Sequence, residues 1–204
     1  MKTTVLLIRH GKTEWNNFGK IQGCQDIDLT EEGLLQADAL KERLKDGFDC
    51  IYSSPLIRAN KTAKILADYN QKELHLEDEL KEVNYGDWQG LTYKEIEENY
   101  PELYHKWHNG LEECPISGGE LSIGNAALRA KKCILNIVSK NKGSTIAIVA
   151  HGGIIKAALI GIFSLGFNMY HKIAMDNTSI TKLVFDTDLK PFLITLNDTC
   201  HLNE

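Results

Sequence analysis

Thr4-Val5-Leu6-Leu7-Ile8 is a short apolar run that stops abruptly at Arg9-His10-Gly11. It is too short for a helix and carries no polar alternation, so it predicts a buried strand. Gly11 lets the backbone turn sharply where the strand ends. A second run, Thr145-Ile146-Ala147-Ile148-Val149-Ala150, ends in the same manner at His151-Gly152-Gly153. Buried strands of this kind belong to parallel sheets covered on both faces. In such sheets, ligands bind outside the carboxyl ends of the strands. Arg9, His10 and His151 therefore fall where this architecture puts its chemistry.

The segments between these runs alternate helix and strand character. Thr30 opens a helix with Glu31 and Glu32 in its first turn, where the helix dipole favours anions. Leu34, Ala37, Leu40 and Leu44 mark its apolar stripe, and Gly47 closes it. Trp15 and Phe18 read as aromatic anchors of the preceding polar loop. Phe48 to Ser53 predicts a strand. Ser54 and Pro55 predict the N-cap and first position of the next helix, which places Arg58 near its start. Leu74 to Leu76 predicts a short strand. Ser117 and Glu120 have capping-box spacing ahead of a long helix with Leu121, Leu128, Leu135 and Val138 on one face. Ile154 to Gly161 predicts an apolar helix, and Ser179 to Phe185 with Pro191 to Leu196 a closing antiparallel hairpin. The pattern predicts an α/β fold, a three-layer sandwich with a mostly parallel sheet between helices.

Residues 77–120 differ from the rest, being acidic and rich in aromatics. They predict a helical cap inserted over the carboxyl ends of the strands, within a single domain spanning 1–204. Trp88 and Trp107 read as packing of this cap. Its cations between Trp88 and Glu120 are Lys94 and Lys106, against seven glutamates.

The net charge of -5 argues against nucleic acid, which needs a basic face. No apolar run is long enough to span a bilayer. Val5 to Ile8 is too short for an export signal and runs directly into Arg9-His10, so a cytoplasmic protein is expected. The five cysteines are scattered, and none forms a C-x-x-C pair, which fits reduced thiols better than disulfides or zinc.

The strand ends gather two histidines and two arginines: Arg9, His10, Arg58 and His151. Guanidinium forks match phosphate oxygens, and the amino end of the helix near Gly152 offers backbone N–H groups to an anion. One histidine of the pair can attack phosphorus, while the other stabilises the equatorial oxygens beside the arginines. No carboxylates stand at the strand ends to complete a metal shell, so the chemistry implied is metal-independent and needs no cofactor. The leaving oxygen needs a proton, which a carboxylate over the cleft can supply. Glu77, Asp78, Glu79, Glu82 and Asp87 all lie in the right stretch.

These blocks resemble the histidine phosphatase superfamily, in the branch of cofactor-dependent phosphoglycerate mutases and small broad-specificity phosphatases. The matching residues are Arg9 to Asn16, Gln22-Gly23, Asp28-Leu29-Thr30, Gly33, Ser53 to Leu56, Arg58-Ala59 and Thr62-Ala63. They continue through Glu82, Gly86 to Gly90, Gly118 to Glu120 and Ala150 to Gly153, in the family's order. The resemblance implies that His10 is the nucleophile and that Glu82 is the general acid and base. It implies a phosphate pocket of Arg9, Arg58 and His151, with Asn16, Gln22 and Gly152 in contact with the substrate. Glycine rather than aspartate after His151 points away from the histidine acid phosphatase branch.

An acidic cap would repel a bisphosphate, which favours a phosphomonoesterase over a mutase. A non-catalytic phosphate-binding module would be expected to lack one of Arg9, His10, Arg58 or His151. A flavodoxin-like binder would carry a glycine-rich fingerprint after the first strand. The resemblance leaves open which small phosphomonoester is the substrate. Ribazole phosphate, phosphoserine, phosphoglycerate, sugar phosphates and nucleotides all remain, as does the oligomeric state.

Overall fold

A computed structural model of the chain describes residues 1–109, 118–120 and 122–202. Six strands form one sheet: β1 (Thr3–Arg9), β2 (Cys50–Ser53), β3 (Leu74–Leu76), β4 (Thr145–Ala150), β5 (Ile180–Phe185) and β6 (Pro191–Asp198). Their order across the sheet is β3-β2-β4-β1-β5-β6. The first four are mutually parallel, and the β5–β6 hairpin adds antiparallel to the free side of β1.

Alternation along the strands builds the layers. Leu6, Ile8, Ala147 and Val149 pack on one face against helices α2 (Glu31–Arg43) and α3 (Ile57–Asn70). Val5, Leu7, Ile146 and Ile148 pack on the other against α6 (Ile123–Lys140) and α7 (Gly152–Phe163). A short helix, α1 (Glu14–Asn17), lies in the loop after β1. The cap contributes α4 (Tyr93–Asn99), α5 (Pro101–Asn109) and two single 3₁₀ turns, Asp78–Leu80 and Gly86–Trp88. Leu80, Val83, Trp88, Ile96 and Trp107 of this segment join the same apolar cluster as α6 and α7. The three-layer α/β sandwich is therefore the observed fold.

Neighbouring parallel strands β1 and β4 run in register, with Arg9 opposite Ala150. Their following residues, His10 and His151, must then emerge side by side. The chain leaves β1 toward α2 on one face and leaves β4 into α7 on the other, so a crevice opens between them.

Several local expectations are corrected. Ser54 does not cap α3, whose N-cap is Leu56 with no side-chain bond. Its hydroxyl faces His151 and accepts from the Leu56 N–H at 3.3 Å, ahead of the helix, and the Ile57 N–H is satisfied by Asp26 at 2.6 Å. Helix α6 is capped by Ser122, which accepts from the Asn125 N–H; Ser117 and Leu121 lie outside the described residues. Glu120 turns instead to Arg129 and to the Asn84 N–H. Phe18, Leu34 and Leu128 are exposed, because the loop, α2 and α6 dock on neighbouring stripes. Helix α7 begins at Gly152, directly on His151, earlier than its apolar run suggests.

Candidate active site

The crevice is a cleft of about 290 Å³. His10 lies at its floor, and its ring centroid is 5.2 Å from that of His151. The His10 Nδ1 lies 2.7 Å from the Gly11 carbonyl oxygen. That acceptor requires a proton on Nδ1, so in the neutral ring Nε2 carries the free lone pair. The backbone around His10 is pinned as well: its carbonyl accepts from Asn177 Nδ2 at 2.9 Å and from the Thr178 N–H at 3.3 Å.

His151 is fully buried, with Nε2 2.8 Å from the Ser54 hydroxyl and Nδ1 without a protein partner. Register explains the pairing, since Ser53 lies opposite Val149, and Ser54 and His151 follow one and two residues further on where the two neighbouring strands end. Arg58 is also fully buried. Its Nη1 and Nη2 donate to the carbonyls of Gln25 and Gly23, each at 2.7 Å, which leaves Nε unpaired. Arg9 donates from Nη1 to the Met175 carbonyl and likewise keeps a buried, unpaired Nε. Three buried nitrogens, two guanidinium and one imidazole, are thus left unpaired beside His10. Native interiors rarely leave such groups unmatched, and an anion matches them all.

Asn16 and Gln22 line the same cleft. The Asn16 Oδ1 accepts from the Thr13 N–H at 3.0 Å, closing a capping box at α1. Glu82 is the acidic residue of its stretch that reaches the cleft. Its carboxylate accepts from the N–H groups of Val83 at 2.8 Å, Ile154 at 2.7 Å and Gly153 at 2.9 Å. This corrects one expectation: the N–H groups of Gly153 and Ile154 serve Glu82 rather than a ligand, and Gly152 is what remains of that helix end. The loop carrying Glu82 is braced by Arg129, whose Nη1 donates to the carbonyls of Glu79 and Lys81 while its fork holds Glu120.

Burial, reinforced by Arg58 and Arg9, holds the His10 imidazole well below its ordinary pKa. Burial, Arg58 and His10 do the same for His151. Burial lowers Arg58 to about 10, still cationic at neutral pH. Both histidines are therefore neutral in the folded protein. The unfolded chain takes up a proton on each below about pH 6.5, so stability falls as pH drops through that value toward the folded pKa values. The loss is at most about 1.4 kcal/mol per pH unit for each histidine, the limit for one proton taken up by the unfolded chain alone. Urea unfolding between pH 7 and pH 5 measures it, and a His151→Asn variant should lose about half of the slope attributable to this pair.

Sequence reasoning missed much of the cleft lining: Tyr85, Tyr93 and Tyr170, with Lys20 and Lys156. Tyr85 and Tyr170 share a hydrogen bond of 2.5 Å between their hydroxyls. The expected electrostatic effect of the cap also changes. Its described contributions to the lining are Glu82 and two tyrosines, and the glutamates of α4 and α5 do not line the cleft. A legible signal for Lys156 did exist, because it is the one charged residue in the apolar sequence of α7.

Two imidazoles and two guanidiniums gathered on the strand ends of a three-layer sandwich, with a carboxylate alongside, define an enzyme of phosphate esters. The chain belongs to the histidine phosphatase superfamily (branch 1), which matches residues 5–199. It is 31% identical over 201 residues to phosphoserine phosphatase 1 of Hydrogenobacter thermophilus, covering 98% of this chain and 94% of that one. A crystal structure of a histidine-to-alanine mutant of Entamoeba histolytica phosphoserine phosphatase, in complex with phosphoserine, superposes with a TM-score of 0.92 and 40% identity. That match covers 98% of this chain and 99% of the other. A 2,3-bisphosphoglycerate-dependent phosphoglycerate mutase of Methylobacterium radiotolerans is 30% identical over 210 residues, covering 93% of this chain and 98% of its own. Among the described residues no group of three or more His, Cys, Asp or Glu is placed to hold a metal ion. No helix among them is long and apolar enough to cross a membrane. Cys24, Cys50, Cys133 and Cys200 are free, and Cys114 lies outside the described residues.

Proposed function

We propose that this protein is a metal-independent phosphomonoesterase of small metabolites, with O-phosphoserine as its foremost substrate. The observation that carries the reading is the free Nε2 of a neutral, backbone-anchored His10 beside three buried, unpaired nitrogens. The ester phosphate sits between Arg9, Arg58 and His151, with Asn16, Gln22 and the Gly152 N–H on its remaining oxygens. His10 Nε2 attacks phosphorus in line as the bond to the ester oxygen breaks. Glu82 delivers a proton to that oxygen, and the alcohol leaves. Water then attacks the phosphohistidine as Glu82 takes its proton, breaking the N–P bond and releasing inorganic phosphate. The arginines stabilise the charge that spreads over the equatorial oxygens in both steps. The relatives named as phosphoserine phosphatases support the choice of substrate.

The test is phosphate release by the purified protein in EDTA, from a panel including O-phosphoserine, sugar phosphates, nucleotides and p-nitrophenyl phosphate. Chelator-resistant release led by O-phosphoserine is expected. Rapid bisphosphate-dependent interconversion of phosphoglycerates with slow release would make it a mutase and overturn the reading. No reaction with any ester, despite phosphate binding, would make it a binding module.

A further inference from the structure

We propose that Lys156 is a specificity-determining residue that holds a carboxylate of the substrate, so that the cleft selects phosphomonoesters bearing a carboxylate close to the ester oxygen. The proposal rests on the phosphomonoesterase reading of the site. Helix α7 is apolar on every side, with eight of its twelve residues buried, and Lys156 is its one ionisable side chain. It lies four residues past Gly152, one turn and about 6 Å along the axis, on the face that Gly152 presents to the phosphate floor. Its side chain lines the cleft. It has no ion pair or hydrogen bond among the described residues. Its ammonium stands 5.1 Å from the centre of the Tyr170 ring. A ring supports the cation from one side only and leaves its N–H donors unused.

A charge inventory of the cleft points to what those donors meet. The charged lining residues are Arg9, Arg58, Lys20, Lys156 and Glu82. The guanidiniums face the phosphate, and both histidines are neutral. Glu82 is occupied by three backbone N–H groups. Lys20 comes from the loop after β1, with its ammonium 5.9 Å from the Trp15 ring centre. With a dianionic phosphate on the guanidiniums, Lys156 stays a half-buried cation that feels Glu82 at a distance but touches no counter-charge among the described residues, a costly arrangement. A single ammonium, with no second guanidinium or cradle of N–H groups beside it, matches one negative charge rather than another phosphate. A carboxylate one helical turn from the phosphate fits this description.

Two pairs of esters that differ by the carboxylate test the assignment: O-phosphoserine against O-phosphoethanolamine, and 3-phosphoglycerate against glycerol 3-phosphate. The readout is the ratio of kcat/KM within each pair. In Lys156→Met the preference for the carboxylated member should fall about tenfold to a hundredfold, the range of one charge-assisted hydrogen bond. Lys156→Arg should retain it. Lys156→Gln replaces the methionine variant if that chain does not fold. An unchanged ratio, or an equal loss on all four esters, would overturn the proposal; the second result would make Lys156 a positioning residue acting through Glu82. A wild-type protein inactive on these four esters and on every other ester of the panel would overturn the phosphomonoesterase reading instead. Calorimetric binding of the same pairs would then decide the carboxylate question: a preference lost in Lys156→Met supports the site, and no preference in wild type overturns it.

Discussion

In a His10→Ala variant, kcat for phosphomonoester hydrolysis falls by at least about four orders of magnitude while the ester still binds. The asymmetry follows from how the floor is built. In the proposed mechanism the lone pair that attacks phosphorus belongs to His10 Nε2 alone, because Nδ1 is committed to the Gly11 carbonyl. The donors proposed to grip the phosphate belong to Arg9, Arg58 and His151, and the hydrogen bonds that hold those three groups do not involve the His10 side chain. Steady-state kinetics with calorimetric binding of O-phosphoserine separates the two effects. Alkali-quenched wild type should carry an acid-labile phosphoryl group on His10 during turnover. The variant should carry none. Residual turnover within a hundredfold of wild type would sink the assignment of His10 as nucleophile.

Glu82→Gln should lower kcat for alkyl phosphomonoesters by about a hundredfold to ten-thousandfold, the range of general acid–base catalysis. The loss divides by leaving group. An alkoxide needs a proton as it departs, whereas p-nitrophenolate departs stably without one. With p-nitrophenyl phosphate, the first step therefore survives better than the second, and phosphohistidine should accumulate as an initial burst. Glutamine also disturbs the N–H cradle. One amide oxygen can serve Val83 and Ile154, but the amide nitrogen then faces the Gly153 N–H. That mismatch should cost about 1 to 2 kcal/mol of stability, visible as a lower melting temperature. A uniform fall on both kinds of ester, with no burst, would remove Glu82 from the proton's path.

Much of this site can be read from the chain because its floor is made of strand ends. A strand's exit residues are adjacent in sequence to its apolar run, so Arg9, His10 and His151 announce themselves. Register then does the remaining work. The walls are less legible for a physical reason. Tyr85 and Tyr170 are 85 residues apart and meet through one hydroxyl pair, which no local pattern encodes. Ser54 reads as a helix cap because Ser-Pro has that chemistry locally; its hydroxyl is drawn instead to an imidazole 97 residues away. The helix end near Gly152 reads as offering N–H groups to an anion, and those of Gly153 and Ile154 do bind an anionic group, but it is the protein's own Glu82. Lys156 was legible in principle, as a lone charge in an apolar helix.

The in-register pairing of β1 and β4 has a consequence for redesign. The spacing of the two imidazoles belongs to the hydrogen-bonded interior of the sheet, whereas Tyr85, Tyr93 and Glu82 come from an insertion between β3 and α6. A library confined to that insertion, with Glu82 retained, samples new substrates without loosening the distance on which phosphoryl transfer depends. The walls that the insertion supplies can thus be exchanged around a fixed floor, while Lys156 on α7 and the retained Glu82 stay in place.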